Sequence, residues 1–364
     1  MGLGKGDRVA LLTSGGDAPG MNSALRGAAR VGAELGLEVV GVEDGYVGLM
    51  EGRIVSLDIR ALDEASRRGG TLLGTARSKI FPTADGLALA RRAVVQHGLR
   101  ALLVIGGNGS LTGARTLRDA PTASGAPLLV GGVPASIDND LACTSMAIGV
   151  DTAMNTIVEA CDRIWDTATA HRRTFLVEVM GRDMGYLAMA AGIAAGADAV
   201  LVRENEKSEE AIVDQVVHTI VHAYGGSRTK RRVIVLKAEG VKIDINVLKT
   251  RVDERIATLL PDVDTRVTVL GHVVRGGTPS AFDRLLAARL ANSAIRELAS
   301  GRTDFMAGWF GPAATGEICP HDPYVVLSPL ADVLEETTKL HQGNSPLAQW
   351  RKRVYAEVET ILDR

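Results

Sequence analysis

Aromatic side chains are scarce in this 364-residue sequence, where Phe, Tyr and Trp together fill only 4% of positions. Packing must then rest on Ala, Leu and Val, which suits a fold with many tight strand-to-helix turns. Cysteine is almost absent: Cys143, Cys161 and Cys319 are odd in number, widely spaced and in no metal-ligand pattern. That excludes a disulfide framework and is expected of reduced thiols in a cytosolic protein. No long Lys/Arg block occurs and the formal net charge is −2, so nothing points to nucleic acid or a membrane surface. The longest uncharged runs, Ala120–Ile137 and Met184–Ala197, are broken by Gly or Pro and make poor spanning segments. The opening MGLGKGDRVALLTSGG has an apolar core of only about five residues before glycines intervene, which is not a signal-peptide layout. A soluble, cytoplasmic protein is expected. The pattern GxxxxGK[ST] is also missing, which excludes that class of nucleotide hydrolase.

Glycine is what the chain has in quantity, 41 residues, much of it after short apolar runs. Val9–Thr13 (VALLT) is one such run, as a parallel strand covered on both faces requires. It leads into Ser14–Gly20 and then a helix with Ala24, Leu25, Ala28 and Val31 at helical spacing. A second strand, Leu37–Val42, precedes turn glycines at Gly45 and Gly48. After the glycine-rich stretch Gly69–Ser78 come a helix over Asp85–His97 and a strand at Ala101–Ile105. The loop Gly106–Ser110 then opens onto a helix through Ala114 and Leu117, and Leu128–Gly132 is the next strand. Beyond residue 150 the alternation resumes. Helices are expected at Met154–Trp165, Tyr186–Ala194, Ala211–Tyr224 and from Phe282, with strands at Thr174–Val179, Ala199–Val202, Arg232–Leu236 and Val267–Leu270. This pattern predicts an α/β protein of two doubly wound lobes with mainly parallel sheets. The C-terminal stretch puts Leu347, Trp350, Val354, Val358 and Ile361 on one helical face, which predicts a packing helix.

The chemistry concentrates at VPASIDND (Val133–Asp140), where Asp138, Asn139 and Asp140 arrive together as the chain leaves a strand. Alone, such a group is ordinary turn chemistry, since Asp and Asn bond their own backbone. Its context gives it weight. Ligands of open α/β sheets sit outside the carboxyl ends of strands. A glycine-rich turn ahead of a helix presents free N–H groups and a positive dipole end to an anion. Two such loops suggest a ligand with several phosphates. Arg77, Arg182, Arg266 and Arg275 all stand beside turn glycines or polar turns, and an arginine fork matches phosphate oxygens in pairs. Gly107, Gly109 and Gly113 also give a relaxed dinucleotide spacing, but no acidic residue closes the following strand, which disfavours a nicotinamide enzyme. Glycine loops, arginines and an acidic turn together describe phosphoryl transfer: cradle the donor, neutralise charge, and take a hydroxyl proton.

Five blocks carry a specific resemblance: TSGGDAPGMN (Thr13–Asn22), GGTLLGTAR (Gly69–Arg77), IDND (Ile137–Asp140), VEVMGRDMG (Val177–Gly185) and LGHVVRGGTPSAFDR (Leu270–Arg284). In order and spacing they resemble the signatures of the 6-phosphofructokinase family over nearly the whole chain to about residue 320. The GGTPSAFDR ending is most similar to the branch that mixes ATP-dependent and pyrophosphate-dependent enzymes. The resemblance implies transfer of the ATP γ-phosphoryl to the 1-hydroxyl of fructose 6-phosphate, with Asp138 as general base. It implies donor-phosphate contacts from Gly16, Arg77, Ser78, Gly107, Asn108, Gly109 and Ser110. Arg77 and Arg182 would stabilise the transferring group. Ser136, Ile137, Asp138, Met180, Gly181, Arg182 and Glu239 would line the sugar site, with Arg173, Arg266, His272 and Arg275 on its 6-phosphate. In the family, residues matching Arg173 and Arg266 reach in from a neighbouring subunit, so a homo-oligomer is implied, a dimer or commonly a tetramer. The implied lobes are residues 1–149 plus about 273–323 for the donor, and 150–272 plus about 324–364 for the sugar phosphate.

Two departures bear on the donor and its Mg²⁺. Pyrophosphate users in the family carry Asp where this chain has Gly109 and Lys where it has Ala135; both small residues leave room for a nucleotide. Asn108 stands where the family places an acidic residue near Mg²⁺, so the expected metal contacts are Asn108, as a weak ligand, and Asp140. An amide oxygen is an uncharged ligand for a hard cation, which predicts weakened Mg²⁺ affinity. Two alternatives therefore stay open: a pyrophosphate-dependent enzyme, and a weakly catalytic regulatory or binding subunit. At the family's effector site Arg26 and Arg30 match, while Trp165 and Asp198 replace an arginine and a glutamate.

Overall fold

A computed structural model of the chain describes residues 2–120, 127–225, 232–309 and 317–362. It contains two compact units, Met1–Thr152 with Arg275–Gln342 and Ala153–Val274 with Gly343–Arg364.

The first unit opens with β1 (Arg8–Ser14), α1 (Met21–Glu34), β2 (Glu38–Val42), α2 (Gly45–Glu51), β3 (Ile54–Ser56) and α3 (Ile59–Ala65). It continues through α4 (Ala84–Gln96), β4 (Leu99–Gly106), α5 (Asn108–Asp119) and β5 (Leu129–Pro134). Helix α6 (Val150–His171) leads into the second unit: β6 (Arg173–Val179), α7 (Tyr186–Ala194), β7 (Ala199–Leu201), α8 (Glu209–Gly225), β8 (Val233–Ala238), α9 (Ile245–Ile256) and β9 (Asp264–Val269). The chain then returns to the first unit as α10 (Ala281–Ser300), β10 (Phe305–Trp309), β11 (Glu317–Ile318), β12 (Val325–Pro329) and α11 (Leu330–His341), and finishes in the second with α12 (Pro346–Leu362).

Among the described residues the first unit holds an eight-stranded sheet in the order β11-β12-β10-β5-β4-β1-β2-β3. Its centre is parallel, and β3, β11 and β12 pair antiparallel at the two edges. Val9 to Leu12 and Ala101 to Ile105 are almost wholly enclosed, because helices cover both faces of these strands. The strand order reverses between β1 and β4, the topological switch point at which ligands of such sheets bind. The described residues of the second unit hold a four-stranded parallel sheet, β7-β8-β6-β9. No helix of the described residues is long and apolar enough to cross a membrane.

Three expectations change. Residues 324–342 belong to the first unit, because β12 runs antiparallel to β10 from Val325 to Pro329 and carries α11 with it. Gly45 and Gly48 lie in a helix rather than in turns. Among the described side chains of α12 the buried ones are Ala348, Arg351 and Tyr355, whereas Trp350 is 50% exposed. Arg351 stacks over the Tyr186 ring with its guanidinium carbon 4.7 Å from the centroid, and the Tyr355 hydroxyl donates to the Val200 carbonyl. The face in contact is thus one position away from the apolar stripe. The side chains of Val358 and Ile361 lie outside the described residues.

Candidate active site

Strand register brings the glycine loops of the first unit together. Ser14 at the end of β1 pairs with Gly106 at the end of β4, and Gly106 pairs with Pro134 at the end of β5. Both glycine loops and the IDND turn therefore leave three adjacent strands side by side at the switch point. Ser110, only 4% exposed, lies under the loops; a Cβ on Gly106 would meet its Oγ at 2.6 Å and one on Gly15 at 3.2 Å. Helix α5 begins at Asn108 with no side-chain cap at Gly107, which leaves its first N–H groups and positive dipole end to an anion. A Cβ on Gly109 would meet nothing within 4 Å. The Tyr46 hydroxyl donates to the Ser110 carbonyl at 2.6 Å and its ring stacks on Phe81 at 3.9 Å, so the start of α5 is wedged in place.

The Gly69–Ser78 segment is stitched to the first loop. Thr75 Oγ1 donates to Gly15 O, Thr13 Oγ1 to Gly74 O, and Leu72 N to Asn22 Oδ1, all at 2.7 to 2.8 Å. Arg77 is exposed at its end. The Ser78 hydroxyl accepts from Ile80 N and Phe81 N and so closes a turn there. Arg275, expected among the 6-phosphate residues, lies in the first unit: its Nη1 donates to Asp17 O at 3.2 Å and would crowd a Cβ on Gly16 at 2.7 Å. It is placed against the Ser14–Gly20 loop.

The three polar residues of the IDND turn have separate duties. Asn139 is enclosed and left-handed at φ 49°, a conformation Asn tolerates better than most residues. Its amide nitrogen donates to Ser145 O and its oxygen accepts from Ala147 N. Asp140 Oδ1 accepts from Ser136 Oγ at 2.7 Å, and His341 Nε2 stands 3.1 Å from Asp140 O and 3.5 Å from Oδ2. Burial alone would raise the Asp140 carboxyl, but bonds from His341 and Ser136 outweigh it and hold it below the ordinary carboxylate range. Asp138 is half-buried and directly precedes these two pinned neighbours, and the Ile137 side chain is wholly enclosed, which leaves only its backbone for a ligand. Ala135 closes the strand, with its N–H donating to Gly106 O at 3.0 Å.

A divalent ion at these loops would meet the Asn108 amide and an Asp140 carboxylate already engaged at both oxygens. Among the described residues no group of three or more His, Cys, Asp or Glu side chains is arranged to hold a metal ion by itself. Mg²⁺ is held mainly through carboxylates, water and substrate phosphates. One amide and one carboxylate would leave most of such an ion's coordination to water and to the phosphates it accompanies.

In the second unit Met180, Gly181, Arg182, Glu239 and His272 gather at the carboxyl ends of β6, β8 and β9. Gly181 has φ 137°, and a Cβ there would stand 2.6 Å from Met184 O, so the turn admits only glycine. Glu239 N donates to Val179 O at 2.9 Å and Gly240 N to Gly181 O at 3.2 Å, which carries the sheet ladder into both loops. Lys237, 1% exposed, pairs with Glu178 at 2.7 Å across the β6–β8 register, one residue before these loops. Removing either partner from such a pair costs about 3–5 kcal/mol. Sequence reading overlooks this pair, because only the register makes the two residues neighbours.

Arg173 and Arg266 are not with this group. They lie near the amino ends of β6 and β9, where both contact Asp264, at 3.2 and 2.6 Å. Six residues of strand, about 20 Å, separate Arg173 from the end of β6 at Val179.

The two arginines of α1 that match the family's effector positions are engaged within the chain. Arg26 and Arg30 both bond Asp63 of α3, and these bonds hold the Asp63 carboxyl below its usual range. In the second unit Arg232 stacks on Trp165, 3.1 Å from the ring centroid, and Asp198 accepts from Ile234 N.

Comparison with known proteins agrees with this geometry. The profile of the family described as Phosphofructokinase matches residues 8–298. An ATP-dependent 6-phosphofructokinase of Natranaerobius thermophilus is 44% identical over 301 residues, covering 83% of this chain and 89% of that protein. One from Bacillus pumilus is 39% identical over 342 residues, 94% of this chain and 98% of its own. Among solved structures, phosphofructokinase from Saccharomyces cerevisiae superposes with a TM-score of 0.80 at 32% identity over 93% of this chain. This chain spans about half of that yeast chain, 46%. Switch-point loops, acidic turn and profile match converge, and the chain belongs to the phosphofructokinase family.

Proposed function

We propose that this chain transfers the γ-phosphoryl group of ATP to the 1-hydroxyl of fructose 6-phosphate, giving fructose 1,6-bisphosphate. The observation that carries the reading is the register Ser14–Gly106–Pro134, which sets two phosphate cradles beside the Asp138 turn. The curated relatives named ATP-dependent 6-phosphofructokinase support the same donor and acceptor. Asp138 takes the proton of the 1-hydroxyl as that oxygen attacks phosphorus. The uncapped start of α5, with Gly16 and Gly107 to Ser110, holds the donor phosphates. Arg77 and Arg182 stabilise charge on the group in transfer, and Met180, Gly181, Glu239 and His272 receive the sugar phosphate. Mg²⁺ arrives with the nucleotide phosphates as part of the substrate. The enzyme works in the cytoplasm.

A coupled assay with ATP/Mg²⁺ and, separately, pyrophosphate/Mg²⁺ tests the reading. Turnover with ATP alone is expected. Silence with both donors would favour a binding or regulatory subunit, and turnover with pyrophosphate alone would reverse the donor assignment.

Asn108→Asp adds a carboxylate at the first turn of α5, where the helix dipole also favours it. The Mg²⁺ concentration for half-maximal rate is expected to fall about tenfold, since a nearby carboxylate contributes on the order of 1–2 kcal/mol to a partly solvated cation. An unchanged Mg²⁺ requirement would remove Asn108 from the metal's surroundings.

We also infer a homo-oligomer with shared sites, because Arg173 and Arg266 stand far along the strands from Met180 to Arg182 of their own chain. Arg173→Ala and Arg182→Ala are each expected to be nearly inactive. Mixed and re-associated, they should regain about a quarter of the parent activity, the fraction of two-chain sites left intact by random pairing. No recovery on mixing would assign both arginines to one chain's site.

A further inference from the structure

The last two turns of α11 reach the catalytic turn through side chains that lie outside the 8–298 segment matched by the family profile. Thr337, fully enclosed, accepts from Ala142 N at 3.0 Å. One turn later His341 Nε2 stands 3.1 Å from the Asp140 carbonyl oxygen and 3.5 Å from Asp140 Oδ2. Both atoms facing Nε2 are acceptors, so this nitrogen carries the hydrogen. The other carboxylate oxygen of Asp140 accepts from Ser136 Oγ at 2.7 Å. Ser136 and Asp140 thereby close a short ring around Asp138, and His341 clamps that ring from α11. Asn139 fixes the inner side of the same turn through Ser145 and Ala147.

We propose that His341 is a positioning residue for Asp138: from the end of α11 it holds Asp140, and through the Asp140–Ser136 bond it fixes where the general base stands. The proposal rests on the phosphoryl-transfer reading above. Proton transfer demands a base within hydrogen-bond reach of the hydroxyl, and displacement on the order of 1 Å costs about 10²-fold in rate. His341→Ala removes the clamp without removing any side chain assigned to the donor or the sugar phosphate. Its kcat is expected to fall 10- to 100-fold, with KM for ATP and for fructose 6-phosphate within about twofold of the parent. His341→Gln, whose amide nitrogen is able to donate to the same acceptors, is expected to recover most of the loss.

The discriminating measurement is a double-mutant cycle with Asp138→Asn. If His341 acts through Asp138, His341→Ala has little further effect once the base is gone. Equal losses in both backgrounds, an unchanged kcat in His341→Ala, or a glutamine variant as slow as the alanine one would each overturn the proposal. The parent enzyme is assayed first with ATP and fructose 6-phosphate. An inactive parent overturns the functional reading and this proposal together, whereas an active parent with an indifferent His341 overturns this proposal alone.

Discussion

Asp138→Asn is expected to lower kcat about 10³-fold, the middle of the range for a positioned general base, while KM for both substrates moves little. Asparagine keeps the size and leaves the surrounding pins untouched: Ser136 to Asp140, Asn139 to Ser145 and Ala147, and His341 to Asp140. The turn should keep its shape, and thermal unfolding should match the parent. The hydroxyl then has no acceptor for its proton as it attacks. Steady-state kinetics with ATP and fructose 6-phosphate read the loss directly. A kcat within tenfold of the parent would place the base elsewhere.

The second large effect separates activity from stability. Gly109→Asp introduces a side chain into open space, since a Cβ there meets no atom within 4 Å. It also adds a negative charge in the first turn of α5, where the dipole welcomes it, and removes a glycine from a helix. The melting temperature should hold or rise. With ATP held as proposed, the same carboxylate would take the room of the α-phosphate. Two unit charges about 4 Å apart near a protein surface repel by about 4 kcal/mol. That corresponds to about 10³-fold in kcat/KM. Pyrophosphate has no α-phosphate and escapes this penalty, so the ratio of the two donors should shift strongly toward it. An undiminished kcat/KM for ATP in a folded Gly109→Asp variant would show that the nucleotide does not pass over this residue.

The central strands are legible in the sequence because burial on both faces leaves unbroken apolar runs. VALLT, ALLVI and TFLVEV each lie within a strand of the expected kind. Turn chemistry is less legible. Gly45 and Gly48 resemble loop residues but belong to α2, where tertiary contacts outweigh propensity. On α12 a stripe drawn from hydrophobicity selects Trp350, although the face in contact includes Arg351, whose guanidinium lies over Tyr186. Counting arginine as solvent-facing hides that face.

Motif spacing brings out the residue types of the site but not their duties or their end of the sheet. IDND shows three polar groups, yet two of them are tied into the turn itself. Arg173 and Arg266 look equivalent to the other arginines until the register sets them at the amino ends of β6 and β9. Arg275 falls over Gly16 because the chain has already re-entered the first unit at that residue. The role of α11 has no local signal at all, since a threonine and a histidine four residues apart are commonplace on a helix.

The strand order also dictates when the protein can become itself during synthesis. Strand β5 ends at Pro134, but its outer neighbour β10 begins only at Phe305, and β12 follows at Val325. Every residue of the second unit's four-stranded sheet emerges in that interval. Until then the Leu129–Pro134 edge has no partner strand, and an unpaired apolar edge is a template for association with other chains. A nascent chain halted before residue 305 therefore carries both glycine loops and the IDND turn, yet lacks the strands that seal β5 and the helix that clamps the turn. Residues 305–341 thus supply both the strands that close the β5 edge and the helix that reaches the turn.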